Sequence, residues 1–475
     1  MREMPTVCKI PLVLVLAAAP ILRAQSPADT NQIMDRLARL EQQNAELIEE
    51  VRLLRTQVKA LQGKTSPAAT AAEQAPSAGE APPSATEDAL AVQQARIDEQ
   101  EQSKVEAAHK LPLRITGMVL FNAFDNTNVY AGPYSGTPGS APYGPPAGGT
   151  LNQSIIGLDY QSPSTILGAK VHGDLFVDFF GNASYAQMPG GYAAGGSYGE
   201  WPMPRLRTGE ISLDWASRTV TVAIDKPLIS PLTPDSFAQV AVPALSGSGN
   251  LWYWEPQARF EQKVQLPDND TLRLQAALYS TYEPSYYVPA EYAPTLALNR
   301  PGWEGRIEFG HRADDDAGFD IGAGFHFSDT HVAGQTVTSG VFSLDGQYRM
   351  ARWWNLEGAF FGGQDLAALG GAGPGFSIFP DAIAQPVHGE GGWLQLTLIP
   401  ASRLSFHLFG GEQRNRESDL WGNQIASSAA FAGNVYYQLA PNVFAAFEAA
   451  QMRTGWSLSG YRLRNQYDLS LAYLF

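Results

Sequence analysis

Residues 461–475, at the end of the chain, read YRLRNQYDLSLAYLF. One set of alternate positions is apolar or aromatic: Leu463, Tyr467, Leu469, Leu471, Tyr473 and Phe475. The other set is charged, polar or small: Arg462, Arg464, Gln466, Asp468, Ser470 and Ala472. Because successive side chains of a strand point to opposite faces, this pattern predicts a strand with lipid on one side and water on the other. A soluble sandwich strand also alternates, so this strand alone does not decide the class.

The same alternation recurs upstream of the last strand. In one example Val171, Leu175, Val177 and Phe179 alternate with Lys170, His172, Asp174 and Asp178. A sheet built from many such strands has one apolar face and one polar face, and its apolar face needs an apolar solvent. The composition agrees, with 46 Gly, 33 Pro and 11% aromatic residues in a chain of 475 residues. Charged residues make up only 17%, below the ~25% of an average soluble domain.

Turn signals predict the number of strands in residues 111–475. Seven short connections are expected at 162–165, 216–218, 267–270, 312–318, 351–352, 400–402 and 440–442, with eight longer or variable ones between them. Fifteen connections imply sixteen strands, with fourteen or eighteen as alternatives. Since a sheet in hydrocarbon must have no free edge, the strands are expected to close into a barrel with a water-filled interior. With an even number of strands, the chain enters and leaves the barrel on the same side, the side of the short turns.

The chain begins with a segment typical of a secretory signal, predicted at residues 1–24. Arg2 and Lys9 provide positive charge, residues 10–22 carry no charge, and cleavage is expected before Gln25. The alternative is a buried core helix. Cys8 is the only cysteine, so the mature chain is expected to have no thiol chemistry and no Cys-ligated metal.

Residues 25–62 have the heptad pattern of a coiled coil. The expected core positions, where the chain would associate with copies of itself, are Ile33, Leu37, Leu40, Asn44, Leu47, Val51, Leu54, Val58 and Leu61. The run Arg36–Glu41 resembles a pattern common in three-stranded coiled coils, whereas an Asn at an a position favours dimers. A further alternative is an amphipathic helix packed on its own chain. Residues 63–110 are interpreted as an Ala- and Pro-rich linker followed by a polar helix.

The terminal phenylalanine and its alternating strand resemble the closing strand of bacterial outer-membrane barrels. In those proteins this end is an assembly signal, which implies that Tyr473 and Phe475 are read by the barrel assembly machinery. The fold class expected from the sequence is therefore an all-β transmembrane barrel of about 16 antiparallel strands, preceded by an α-helical coiled-coil stalk. The resemblance implies the outer membrane of a two-membrane bacterium, with the stalk in the periplasm.

One long connection, at 227–250, differs from the others. It carries four prolines, Pro227, Pro231, Pro234 and Pro243, and few charges. Proline restricts the backbone, so we expect a loop of defined shape folded into the barrel, with an ordinary external loop as the alternative. The stalk, the strand Leu113–Gly117 and the run from Val240 to Trp252 resemble the DcaP-like outer-membrane porins. The resemblance implies a homotrimer of separate channels that pass small, often anionic, organic solutes.

Inward-facing charges near this loop are the candidate pore-lining residues. They are Lys170, Asp225, Asp235, Arg259, Lys263, Arg273, Arg306 and Arg349. We expect Arg259, Arg273 and Arg306 to form a basic strip opposite Asp225 and Asp235. The alternative is salt bridging along the wall, for example of Arg306 with Glu308 or Glu261. Residues 111–475 carry 20 basic and 32 acidic residues, a net charge of −12, which argues against simple anion selectivity.

The sequence indicates no enzyme, cofactor or metal site. The acidic balance disfavours nucleic acid as a partner, and His326 and His331 are expected to face solvent near a strand end. The expected function is passive diffusion of small hydrophilic solutes, anionic organic ones among them. Two alternatives remain: a structural tether between the barrel and the cell wall, and an outer-membrane enzyme such as a phospholipase. Expected partners are outer-membrane lipid, further copies of the chain and the assembly machinery, with peptidoglycan as a further candidate.

Overall fold

A computed structural model describes residues 112–127, 147–181, 203–284, 288–296, 300–313 and 317–475. The predicted signal peptide (1–24), coiled coil (25–62), and linker with polar helix (63–110) lie outside these residues. They stay predictions.

The described chain is built almost entirely of strands. They are β1 (Leu113–Asn126), β2 (Ala147–Thr150), β3 (Ile155–Ile166), β4 (Ala169–Asp178), β5 (Arg205–Asp214), β6 (Arg218–Asp225), β7 (Glu255–Gln265), β8 (Asp270–Thr281), β9 (Arg300–Arg312), β10 (Gly318–Val332), β11 (Gln335–Met350), β12 (Trp354–Gln364), β13 (Phe376–Ile378), β14 (Ala384–Pro386), β15 (His388–Ala401), β16 (Leu404–Asn415), β17 (Ile425–Ala440), β18 (Val443–Trp456) and β19 (Gly460–Leu474).

All of these strands except β13 and β14 form a closed antiparallel barrel. Strands that follow each other in the barrel pair along the chain, β12 pairs with β15, and β1 pairs with β19 from Met118↔Leu474 to Asn126↔Gln466. Strands β2 and β3 both pair with β1, at its two ends, and therefore fill one position in the barrel. The barrel thus has sixteen strand positions, and the predicted number is confirmed. Closure leaves no backbone edge without a hydrogen-bond partner, which hydrocarbon would not supply.

The last strand shows the two faces that its sequence predicts. Leu469 and Tyr473 of β19 are 59% and 50% exposed, whereas Arg464 and Asp468 are each 1% exposed. The other strands repeat this arrangement, with exposed aromatic and aliphatic side chains outside and polar side chains inside. The exterior is therefore suited to lipid and the interior to water.

Six of the seven predicted short turns are observed within a few residues, but the turn expected at 162–165 is wrong. Strand β3 continues through this segment to Ile166, with a bulge between Gln161 and Thr165 that accommodates Pro163. The turn lies instead at Leu167 and Gly168, which have φ angles of 53° and 78°. Two successive positive φ values are characteristic of a two-residue hairpin turn of type I′.

The first barrel strand, β1, begins on the side of the short turns, and the last strand, β19, ends on that same side, as the even number of strands predicts. Above the opposite rim, β13 and β14 form a small separate hairpin, and residues Ala293–Leu296 form one helical turn. Within the described part of the chain, no helix has the length and apolar character to cross a membrane.

Candidate functional site in the barrel lumen

The connection between β6 and β7, residues 226–254, lies inside the barrel; we call it the inner loop. The Leu228 amide donates to Glu304 Oε2 of β9 at 2.6 Å. The Asp235 amide donates to Gln395 Oε1 of β15 at 2.7 Å. Since these partners lie on well-separated strands, the loop crosses the lumen. The prediction that this segment folds into the barrel is confirmed.

The middle of the inner loop, which we call its apex, is anchored on β17 and β18. The Ser236 hydroxyl donates to Glu448 Oε2 at 2.6 Å, and the Gln239 amide group donates to Glu448 Oε1 at 3.0 Å. The ring of Phe237 stacks on Tyr436 with centroids 4.5 Å apart. Glu448 is buried, so its carboxylate depends on these loop donors to replace water.

Gln153, in the irregular segment between β2 and β3, holds the returning half of the loop. Its Oε1 accepts hydrogen bonds from the Val240 and Ala241 amides, both at 2.9 Å. On β5, Arg205 donates to the Ala241 carbonyl at 2.6 Å and Arg207 donates to the Val240 carbonyl. The sequence analysis missed Gln153, Arg205 and Arg207. Nothing in their local sequence signals a contact with a segment more than thirty residues away.

The end of the inner loop presses against the wall at Gly249. A Cβ atom there would lie 2.2 Å from the Gly392 carbonyl oxygen of β15, and the φ angle of 106° also favours glycine. Next to it, the Ser248 and Ser428 hydroxyls are 2.9 Å apart. The loop therefore follows the wall at backbone contact distance.

The three arginines of the expected basic strip lie on the inner face of neighbouring strands, and each is paired with carboxylates. Arg259 of β7 lies 3.0 Å from Asp225. Arg273 of β8 lies between two carboxylates, 3.5 Å from Glu261 and 3.2 Å from Glu308.

Arg306 of β9 is the most enclosed of the three. It lies 2.6 Å from Asp345 and 2.7 Å from Glu308, with its side chain 3% exposed. The salt bridge along the wall that the sequence offered as an alternative is thus present at Arg306–Glu308, and these guanidinium charges are largely neutralised.

The two carboxylates expected opposite this strip differ in position. Asp225, the last residue of β6, contacts Arg259 on the adjacent strand, so it lies beside the strip and not across from it. Asp235 belongs to the inner loop, and its side chain is 52% exposed. Burial raises the pKa of Asp235, but the hydrogen bonds and charge of His407 and the hydrogen bond of Gln395 outweigh it and hold that pKa below its ordinary value. Asp235 therefore presents a negative charge to the lumen.

The remaining candidate pore residues lie away from the inner loop. Lys170, Lys263 and Arg349 are all near the ends of their strands at the short turns. Arg349 donates to Gln347 on its own strand at 2.8 Å. The structure therefore places all three residues toward one mouth of the barrel; Lys170 and Arg349 lie apart from the basic strip, whereas Lys263 is the direct cross-strand partner of Arg273.

Two histidines of the described chain contact serines. His326 is 2% exposed, with Nδ1 3.0 Å from Glu304 and Nε2 2.9 Å from Ser328 Oγ. The expectation that His326 faces solvent is therefore wrong, because its position on β10 points into the polar layer under the inner loop. His407 Nε2 lies 3.0 Å from Ser405 Oγ. Each serine is two residues from its histidine on the same strand.

Two buried carboxyl groups join the outer loops at the opposite rim from the short turns. Glu283 follows β8 and Asp365 follows β12, and the two carboxyl groups lie close enough to shift each other's pKa. Burial raises the pKa of Asp365 to about 6, and burial together with the charge of Asp365 raises that of Glu283 well above its ordinary value. The contact needs a proton between the two groups, so it is favoured at acid pH.

No protein-family model matches the chain, and no curated protein matches it. Among solved structures, the outer membrane channel DcaP of Acinetobacter baumannii is similar with a TM-score of 0.59 at 14% identity, over 76% of this chain and 97% of that one. An anion-selective porin from Comamonas acidovorans gives a TM-score of 0.44 at 11% identity, over 76% and 99%. The likeness to DcaP confirms the fold that the sequence resemblance implied.

Proposed function

We propose that the chain is an outer-membrane porin, a passive diffusion channel for small hydrophilic solutes. The observation that carries this proposal is the inner loop, a polar segment held across the lumen of a closed barrel whose outer face is apolar. A loop in this position narrows a water-filled passage without closing the barrel wall. Paired charges on the remaining wall give that passage a polar lining.

The proposed location is the outer membrane, with the short turns and the N-terminal stalk in the periplasm. The apolar exterior and the strand topology support the membrane assignment. The proposed assembly is a homotrimer joined by the heptads of residues 25–62, with Tyr473 and Phe475 as the signal for the barrel assembly machinery. Phe475 supports this role, because its amide and carbonyl hydrogen-bond to Gly117 across the closing seam, at 3.1 and 3.0 Å.

The proposed solutes are small hydrophilic molecules, without a strong preference for anions. Anionic organic solutes would need unpaired basic charge at the narrowest point. Arg259, Arg273 and Arg306 are already paired with carboxylates, whereas Asp235 is half exposed. The net charge of −12 in residues 111–475 acts in the same direction.

The test is ion conductance of the purified full-length protein in planar lipid bilayers. We expect stepwise current increases in groups of three, and a reversal potential across a salt gradient that shows weak cation preference. Heat-unfolded protein from the same preparation is the control. A folded barrel that carries no current would overturn the proposal and favour the tether. Strong anion preference would leave the porin assignment intact and overturn only the proposed selectivity.

A further inference from the structure

A histidine and two carboxylates meet on the inner wall, near the middle of β4 and β5. They are His172 and Asp174 of β4 and Glu210 of β5, whose ligand atoms all lie within 4.8 Å of one another. We propose that these three side chains bind one divalent transition-metal ion, with Zn²⁺ as the representative ion.

The sheet register brings the three ligands together. His172 and Asp174 are two residues apart on one strand, so they share a face, and Glu210 is the partner of Asp174 on the next strand. His172 Nε2 lies 3.7 Å from Asp174 Oδ2 and 4.0 Å from Glu210 Oε1. Metal–ligand bonds of about 2.1 Å in a tetrahedral site place ligand atoms roughly 3.4 Å apart. Small side-chain rotations therefore suffice to enclose an ion.

The charge balance of the wall gives an independent reason for a cation here. Asp159, Asp174 and Glu210 are direct cross-strand partners on β3, β4 and β5, and like charges in this position repel. Arg114 neutralises Asp159 at 2.9 Å. Within the ranges that the structure describes, no Lys or Arg side chain lies within 4.0 Å of the Asp174 or Glu210 carboxylate. A bound divalent cation would remove the remaining repulsion.

The ligand set indicates which ions would bind. One imidazole nitrogen with two carboxylates suits zinc and its neighbours in the first transition series better than Ca²⁺ or Mg²⁺, which prefer oxygen ligands alone. The three side chains are between 22% and 30% exposed. The site is therefore open to ions in the lumen, and water can complete the coordination.

Metal binding can be measured on full-length protein purified without a polyhistidine tag, folded in detergent and stripped with a chelator. Titration of Zn²⁺ against a chromogenic chelator, with Ca²⁺ and Mg²⁺ in excess, is expected to show one ion per chain. His172→Ala and Glu210→Gln should each lower the affinity at least tenfold. The matched control is His388→Ala, because His388 also pairs with a carboxylate, Asp419 at 2.8 Å, but at the start of β15, on strands other than those of the proposed site. That variant should bind as the parent does.

The inference is overturned if the parent protein fails to bind Zn²⁺, or if His172→Ala and Glu210→Gln bind it unchanged. Folding of each variant is checked by its resistance to unfolding on an unheated gel, and two separate ligand variants protect the test against the misfolding of one. The measurement needs no current through the barrel. A barrel that binds zinc without conducting would therefore contradict the proposed function alone.

Discussion

At the scale of single residues, the interior of the barrel is governed by paired charges. Arg306 donates to both oxygens of Asp345, at 2.9 and 2.6 Å, and also contacts Glu308 and Gln275. A guanidinium in this position is held by its planar fork and cannot be replaced by a flexible ammonium without loss. The arginines on β7–β9 therefore hold the wall together more than they attract anions.

Removal of Arg306 is expected to weaken the barrel strongly. Arg306→Ala leaves Asp345 and Glu308 as enclosed carboxylates without their cation, which costs about 3–5 kcal/mol for a buried pair. Arg349→Ala is the control, since Arg349 lies on an exposed position near the barrel mouth and should cost about 1 kcal/mol or less. Urea unfolding in detergent, followed by tryptophan fluorescence, measures both. A loss below 1 kcal/mol for Arg306→Ala would show that the carboxylates find other partners.

At the scale of elements, the inner loop is held by contacts to the wall on every side. Its apex contacts β17 and β18 through Phe237 and Ser236, and its return is held by Gln153 and two arginines of β5. Its own prolines limit the conformations open to it. The position of the loop across the lumen therefore depends both on its own restricted backbone and on its contacts with the wall.

Loosening the apex should widen the passage. Phe237→Ala removes the stacking on Tyr436, and aromatic pairs contribute about 0.5–1.5 kcal/mol beyond the area they bury. We expect a larger and noisier single-channel current than that of the parent protein. Phe379→Ala is the matched control, because Phe379 packs on Trp421 between outer loops, with centroids 5.5 Å apart. An unchanged current for Phe237→Ala would mean that the hydrogen bonds to Glu448 suffice to hold the apex.

At the scale of the whole molecule, the closed barrel and the predicted helical stalk have different roles. Closure through β1 and β19 makes the barrel independent of any partner for its backbone hydrogen bonds. The proposed association of several barrels would depend instead on the predicted heptads before residue 63. The stalk lies outside the described residues, and its role stays a prediction from the sequence.

Disruption of the heptad core should reduce the proposed trimer to smaller species without unfolding the barrel. Leu40→Asp combined with Leu47→Asp places charge at two d positions, where apolar residues drive coiled-coil assembly. Gln42→Asp puts the same side chain on the outer face of the predicted helix and serves as the control. Chemical crosslinking of full-length protein in detergent reports the assembly. Persistence of trimers in the double variant would place the trimer contact on the barrels themselves.

The sequence by itself determined the barrel fold, because alternation and turn spacing are properties of neighbouring residues. Alternation predicts the lipid-facing side, turn spacing predicts the number of strands, and the prolines of residues 227–250 predict the infolded loop. Only the tertiary structure decided which polar groups meet inside: Arg306 with Asp345 two strands away, Gln153 with the inner loop, and His172 with Glu210. The sequence analysis expected no metal site because the contact between His172 and Glu210 cannot be seen from the sequence. The physical reason is register: alternation fixes the face of a strand, but a shift of two residues leaves every side chain on the same face and changes all its partners.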